Sequence, residues 1–172
     1  MKEIEYRFTE FMHHIVIRPI APGDNAEIAE LIRSVLTEFN ANKPGTVFTD
    51  PTTDHLYELF QTPKSYYNIA LVNNQIVGGC GIFPTKGMPE GCTELVKLYV
   101  STKMRGTGIG KRLMELCCSQ AIDEGYTEIY LETLPELHIA VGLYEQLGFR
   151  YLDKPYGDSG HFACDLWMAK DL

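Results

Sequence analysis

Positions 103 to 112 read Lys-Met-Arg-Gly-Thr-Gly-Ile-Gly-Lys-Arg, and no other stretch of the chain offers such definite chemistry. The alternating Gly106, Gly108 and Gly110 let the backbone turn sharply and bring its N–H groups close to a ligand. At a helix start those N–H groups lack intrahelical partners, and the helix dipole adds positive potential. Together these features make a site for a pyrophosphate. Lys103, Arg105, Lys111 and Arg112 place four of the chain's 15 basic residues in this window, within a protein of net charge −8. An anionic ligand is a physical reason for that reversal of sign. A nucleotide-hydrolase phosphate loop would follow Gly-Lys with Ser or Thr, and here Arg112 follows Gly110-Lys111. A dinucleotide fingerprint would place its third glycine one residue later. A plain strand-to-helix turn with solvating lysines is the alternative reading.

The elements around this turn follow from periodicity. Ile15 to Arg18 suit a short strand closed by Pro19. Asp24 and Glu27 have capping-box spacing ahead of an amphipathic helix carrying Ile28, Leu31, Ile32, Val35, Leu36 and Phe39. A long loop is expected over 40–51, edging a pocket through Phe48, Thr49 and Asp50, then a short helix around 53–60. Residues 66–72 and 76–83 read as a hairpin turning at Asn73-Asn74-Gln75, and 92–100 as a third long strand. A helix is expected from about Gly110 to Glu124, with Leu113, Met114, Cys117, Ala121 and Ile122 inward. A strand over 129–134, a helix from Pro135 to about Leu147, and closing strands near 149–152 and 161–167 complete a βααβββαβαββ order. That order predicts a mixed sheet with helices on its faces. One domain spanning 1–172 accounts for the whole pattern.

The residues now on the page resemble the GNAT superfamily of N-acetyltransferases. Arg105, Gly108 and Gly110 are similar to that family's acetyl-CoA pyrophosphate loop, and Glu94-Leu95 with Leu98-Tyr99-Val100 precede it as family strands do. Leu143-Tyr144-Glu145-Gln146-Leu147-Gly148-Phe149 follow about forty positions later. The likeness is strong over roughly 92–152, the expected acetyl-CoA-binding core, and leaves the N-terminal half as the acceptor side. It implies an α/β fold with a central mixed sheet of about six or seven strands flanked by about four helices. It also implies that acetyl-CoA is held by Leu98, Tyr99, Val100, the run Arg105, Gly106, Thr107, Gly108, Ile109, Gly110 and Lys111, together with Ala140 and Tyr144. The family often carries Asn where this chain has Leu137, so His138 or Glu136 would have to replace that contact.

Acetyl transfer to an amine needs a base for the amine, donors for the carbonyl oxygen and an acid for the leaving thiolate. The resemblance gives the acid role to Tyr144 and the oxygen to backbone N–H groups near Tyr99 and Val100. The resemblance also makes Glu94 the base candidate, four residues before Leu98, where some lysine acetyltransferases of the superfamily carry their catalytic Glu. Burial on an apolar strand would raise its pKa, with Glu132 in reserve and a water chain as the alternative. A structural Glu94–Lys97 or cross-strand pair is the competing reading. His161 and Asp165 could border the acceptor pocket, though a surface hairpin is the plainer account. The expected activity is direct transfer, in a ternary complex, to the primary amine of a small molecule such as an amino acid or a polyamine-like compound, cationic or neutral in net charge. A non-catalytic acyl-CoA sensor acting through a protein partner is the other reading.

Composition narrows the rest. With 45% hydrophobic and 22% charged residues the chain is of ordinary globular make-up, and its charge of −8 disfavours nucleic acid and anionic membranes as partners. The opening MKEIEYRFTEF has no apolar signal run, so the cytoplasm is the expected compartment, with a monomer or homodimer as the assembly. Cys80, Cys92, Cys117, Cys118 and Cys164 form no metal-ligand spacing and read as reduced, mostly buried thiols; no metal is expected. The His13-His14 pair reads as surface.

Overall fold

Seven strands form one sheet in the order β1-β2-β3-β4-β5-β7-β6 in the computed structural model, which describes residues 15–172. They are β1 (Ile15–Pro19), β2 (Tyr66–Val72), β3 (Gln75–Phe83), β4 (Cys92–Val100), β5 (Glu128–Thr133), β6 (Arg150–Tyr151) and β7 (Leu166–Asp171). All neighbours are antiparallel except β4 and β5. The β2–β3 turn is Asn73-Asn74, both residues at positive φ (50° and 63°), the backbone that matches strand twist in a two-residue hairpin. Four helices cover the faces: α1 (Asn25–Glu38), α2 (Leu56–Leu59), α3 (Ile109–Asp123) and α4 (His138–Gln146). The α1 side buries Ile28, Ile32 and Leu36 with Tyr67 and Ile69, and the α3 side buries Leu113, Met114 and Cys117 with Cys80, Ile82 and Leu131.

Several local expectations change. The Asp24 carboxylate does not cap α1; it accepts from the Ala21 N–H at 2.6 Å and pairs with Arg18, while Glu27 accepts the Ile76 N–H at 2.7 Å. Tertiary partners outcompete the local box. Ile122 is 55% exposed because it lies off the stripe formed by Leu113, Cys117 and Ala121. Pro135–Leu137 form a 3₁₀ turn before α4 begins at His138. The last strand is Leu166–Asp171, not 161–167, because residues 161–164 are tied to the 40–51 loop, as in Ala163 N–H to Gly45 O at 3.1 Å. The His13-His14 pair lies outside the described residues.

Two irregularities shape the centre of the sheet. The β4–β5 ladder runs only from Cys92–Glu128 to Glu94–Tyr130, so the strands part beyond it. On its other edge β4 bulges: Tyr99 pairs with Gly79 and Val96 with Gly81, leaving Lys97 and Leu98 opposite Cys80. Lys97 sits at φ 53°, a left-handed conformation that only its surroundings can hold. A bulge flips the side chains beyond it to the other face. Leu98 and Val100 therefore pack with Leu95 on the α3 side, and Lys97 joins Val96 on the other.

Candidate active site

The glycine turn lies at the mouth of a cleft of about 500 Å³ between the end of β4, the start of α3 and α4. Gly106 and Gly108 have φ of 76° and 84°, and a Cβ on either would meet nothing within 4 Å. Glycine suits the positive φ there, and no part of the protein itself crowds either position. Gly110 is different: its backbone is helical, and a Cβ would stand 3.3 Å from Leu143 Cδ2, which lets α3 and α4 approach closely. Among the described residues, the N–H groups of 106–111 make no hydrogen bond, and the first turn of α3 opens toward the cleft. A row of free backbone donors therefore stands where the sequence leads one to expect a pyrophosphate.

Of the residues expected to hold the cofactor, Leu98, Tyr99, Val100, Arg105, Gly106, Gly108, Ile109, Gly110, Lys111 and Ala140 line this cleft. Thr107 does not; its hydroxyl donates to Met104 O at 2.7 Å and braces the turn. Arg105 holds Glu38 through two bonds of 2.5 and 2.8 Å and stacks 4.8 Å over Phe39. The pair, with help from Thr102, holds the Glu38 carboxyl at a pKa of about 2. At the position where the family often has Asn, Leu137 lines the cleft beside His138, whereas Glu136 turns to Lys43 at 2.9 Å.

A second cleft, of about 490 Å³, opens on the α1 side of the sheet. Its walls are the 45–52 loop, Phe60, Phe83, Thr85, Glu94, Val96, Lys97 and the 158–162 segment. Between the two clefts, where β4 and β5 part, lies a small cavity of about 50 Å³. It shares Leu98, Tyr99 and Leu137 with the first cleft, and Glu94, Val96, Lys97 and His161 with the second. Tyr144 and Cys164 also line it. The gap in the sheet thus joins the cleft at the glycine turn to the second pocket.

Glu94 is 4% exposed, and burial raises its pKa to about 7, helped by the charge of Glu132. A hydrogen bond from the Thr85 hydroxyl, with the charges of His161 and Lys97, opposes that rise. Lys97 does not pair with Glu94, as the competing reading had it. Its ammonium reaches Asp50 Oδ2 at 3.1 Å. Burial of Asp50 works against its charge, but His161, Lys97 and two bonds from Thr52 outweigh it and hold the carboxyl far below the usual range. His161 Nε2 lies 2.9 Å from Asp50 Oδ2, so His161 faces the pocket and is no part of a surface hairpin. Glu132 accepts from Tyr130 at 2.8 Å and Ser159 at 2.6 Å, and Asp165 is exposed.

Tyr144 is 6% exposed, and burial pushes its phenol above the usual pKa, so it keeps its proton. Its hydroxyl has no hydrogen-bond partner among the described residues. All five cysteines are free, with Cys80, Cys92 and Cys117 buried and the other two half-buried. No cluster of three His, Cys, Asp or Glu side chains among the described residues is placed to hold a metal ion.

A sheet parted beside a glycine-rich helix start is the architecture of an N-acetyltransferase. The model of the acetyltransferase (GNAT) family matches residues 31–149, and the chain belongs to that family. It is 37% identical over 159 residues to the uncharacterized N-acetyltransferase YjgM of Escherichia coli (strain K12), covering 91% of this chain and 95% of that protein. Among solved structures, a GNAT-family acetyltransferase from Staphylococcus aureus Mu50 superposes with a TM-score of 0.79 at 22% identity, over 92% of this chain and 99% of that one. An aminoglycoside 6'-N-acetyltransferase complexed with coenzyme A superposes with a TM-score of 0.65 at 22% identity, over 91% and 96% of the two chains. The seven-stranded mixed sheet and four helices match these neighbours. No helix among the described residues is long and apolar enough to cross a membrane.

Proposed function

We propose that this N-acetyltransferase moves the acetyl group of acetyl-CoA directly to the primary amine of a small molecule, both substrates being bound at once in a single 1–172 domain. The observation that carries the reading is Glu94, buried where the two clefts meet and poised near neutral pH. The N–H groups of 106–111 take the pyrophosphate, and the apolar walls from Leu98, Ala140 and Leu143 take the arm that leads to the thioester. The acceptor enters from the other side. Glu94 removes the ammonium proton, and the amine nitrogen bonds the carbonyl carbon as the C–S bond breaks. Unpaired backbone N–H groups of β4 beyond Glu94 are suited to the carbonyl oxygen. Tyr144 gives its proton to the departing thiolate, and the second proton shed by the nitrogen as it becomes an amide restores the phenol. The test is free-thiol release from acetyl-CoA over a panel of primary amines. Steady release with any of them supports transfer, and tight acetyl-CoA binding with none would leave the sensing role.

A further inference from the structure

Lys97 is a cation with donors to spare in the pocket assigned to the acceptor. Its side chain is 4% exposed, so little of its shell can come from bulk water. An ammonium carries three N–H donors, and Asp50 takes the one bond that Lys97 makes among the described residues. Asp50, by contrast, is saturated by Thr52, Lys97 and His161. The carboxylate therefore fixes the direction of Lys97 and His161 without using up either. The second ring nitrogen of His161 is likewise without a partner among the described residues. Burial of a cation this incompletely satisfied is costly, and an anionic group on a ligand would offset the cost. The bulge puts this donor pair on the wall that carries Glu94, three residues away along β4.

We propose that Lys97, aimed by Asp50 and assisted by His161, binds a carboxylate on the acceptor, making the substrate an amine that carries a carboxylate close to its nitrogen, as α-amino acids do. This rests on the reading of the second cleft as the acceptor site. One pocket wall then addresses both ends of a zwitterion, Glu94 the ammonium and Lys97 the carboxylate, and the acceptor is neutral overall. The carboxylate–ammonium bond is charge-assisted and desolvated, which makes it a strong discriminator against an uncharged replacement.

The test is steady-state acetylation of matched α-amino acids and their α-amides with apolar, polar and charged side chains. The acids are expected to exceed the amides in kcat/KM by about 10- to 100-fold, the worth of a hydrogen bond to a charged group. Lys97→Met should bring the ratio close to one with acetyl-CoA affinity unchanged, and Lys97→Arg should keep most of it. Amides acetylated as well as acids by the wild type would overturn the carboxylate site and leave acetyl transfer standing. Calorimetry of the CoA-loaded protein with N-acetyl amino acids and their amides reads the same preference without turnover. Selective binding of the acids supports the site even if no amine is acetylated, and equal binding of both overturns it.

Discussion

Glu94 and Tyr144 line the same 50 Å³ cavity, one reaching it from β4 and the other from α4, through the gap where β4 and β5 stop pairing. Burial acts on both in the same sense, raising the carboxyl to about 7 and holding the phenol protonated. A base able to take a proton near neutrality therefore shares a confined space with an acid that has one to give. The proposed direct transfer would use this pairing, and its two roles are separable by mutation.

The first prediction follows from the Glu94 pKa of about 7. As a base it works only when ionised, so kcat/KM should fall as pH drops below that value. Glu94→Gln should lower kcat by about 10²–10⁴-fold and abolish this acidic limb. Near-normal turnover with the same pH profile would return Glu94 to a structural role.

The same residue makes a prediction about stability. Its carboxyl rises from 4.5 to about 7 on folding, so the folded chain binds more protons than the unfolded one between those values. Its contribution to stability is thus lost as pH rises through that window, the reverse of a paired carboxylate. Denaturant midpoints of Glu94→Gln should decline less between pH 4.5 and 7 than those of the wild type; parallel curves would contradict the assignment.

Gly108 tests the cofactor surface. Its φ of 84° is one that side chains rarely adopt, and nothing crowds the space where a Cβ would sit. Gly108→Val should therefore strain the turn and misplace its N–H groups while sparing the packed core. Calorimetry should show acetyl-CoA affinity reduced at least about tenfold, the equivalent of one lost charge-assisted hydrogen bond. Unchanged affinity in folded protein would remove the turn from the cofactor site.

The glycine turn was legible because its chemistry is local: three glycines, a helix start and a cluster of positive charge lie within ten positions. Element order was legible for the same reason, since the apolar spacing of α1 and the Asn73-Asn74 turn declare themselves in single segments. The second cleft was legible only in pieces, as separate pocket edges at Thr49, Asp50 and His161. It is assembled from residues 45–52, 83–97 and 158–162, and only folding brings His161 to Asp50, 111 positions away. Lys97 was further obscured by the bulge, because strict alternation puts Val96 and Lys97 on opposite faces. The available signals were a lysine inside an apolar strand and a long loop ending in Asp50. Ile122 shows the opposite failure, an apolar residue at plausible helical spacing that the sheet never covers.

The remaining prediction isolates the Tyr144 hydroxyl. The ring is buried beside Phe149, with centroids 5.8 Å apart, and Tyr144→Phe keeps that packing. The hydroxyl has no partner among the described residues, so its loss breaks no internal hydrogen bond, and the fold and acetyl-CoA affinity should be nearly unchanged. What disappears is the proton for the departing thiolate. Because burial raises the phenol pKa, the proton is present throughout the neutral range, and the wild type should show no alkaline limb from this group near pH 8. A donor needed only as the C–S bond breaks lowers kcat and kcat/KM together. The expected loss is about 10²–10⁴-fold, the usual contribution of general acid catalysis. Single-turnover rates are the measurement to use, since slow product release would hide a chemical defect in the steady state. If kcat stays within a few-fold of the wild type while acetyl-CoA binding weakens, Tyr144 positions the cofactor and the thiolate takes its proton from elsewhere.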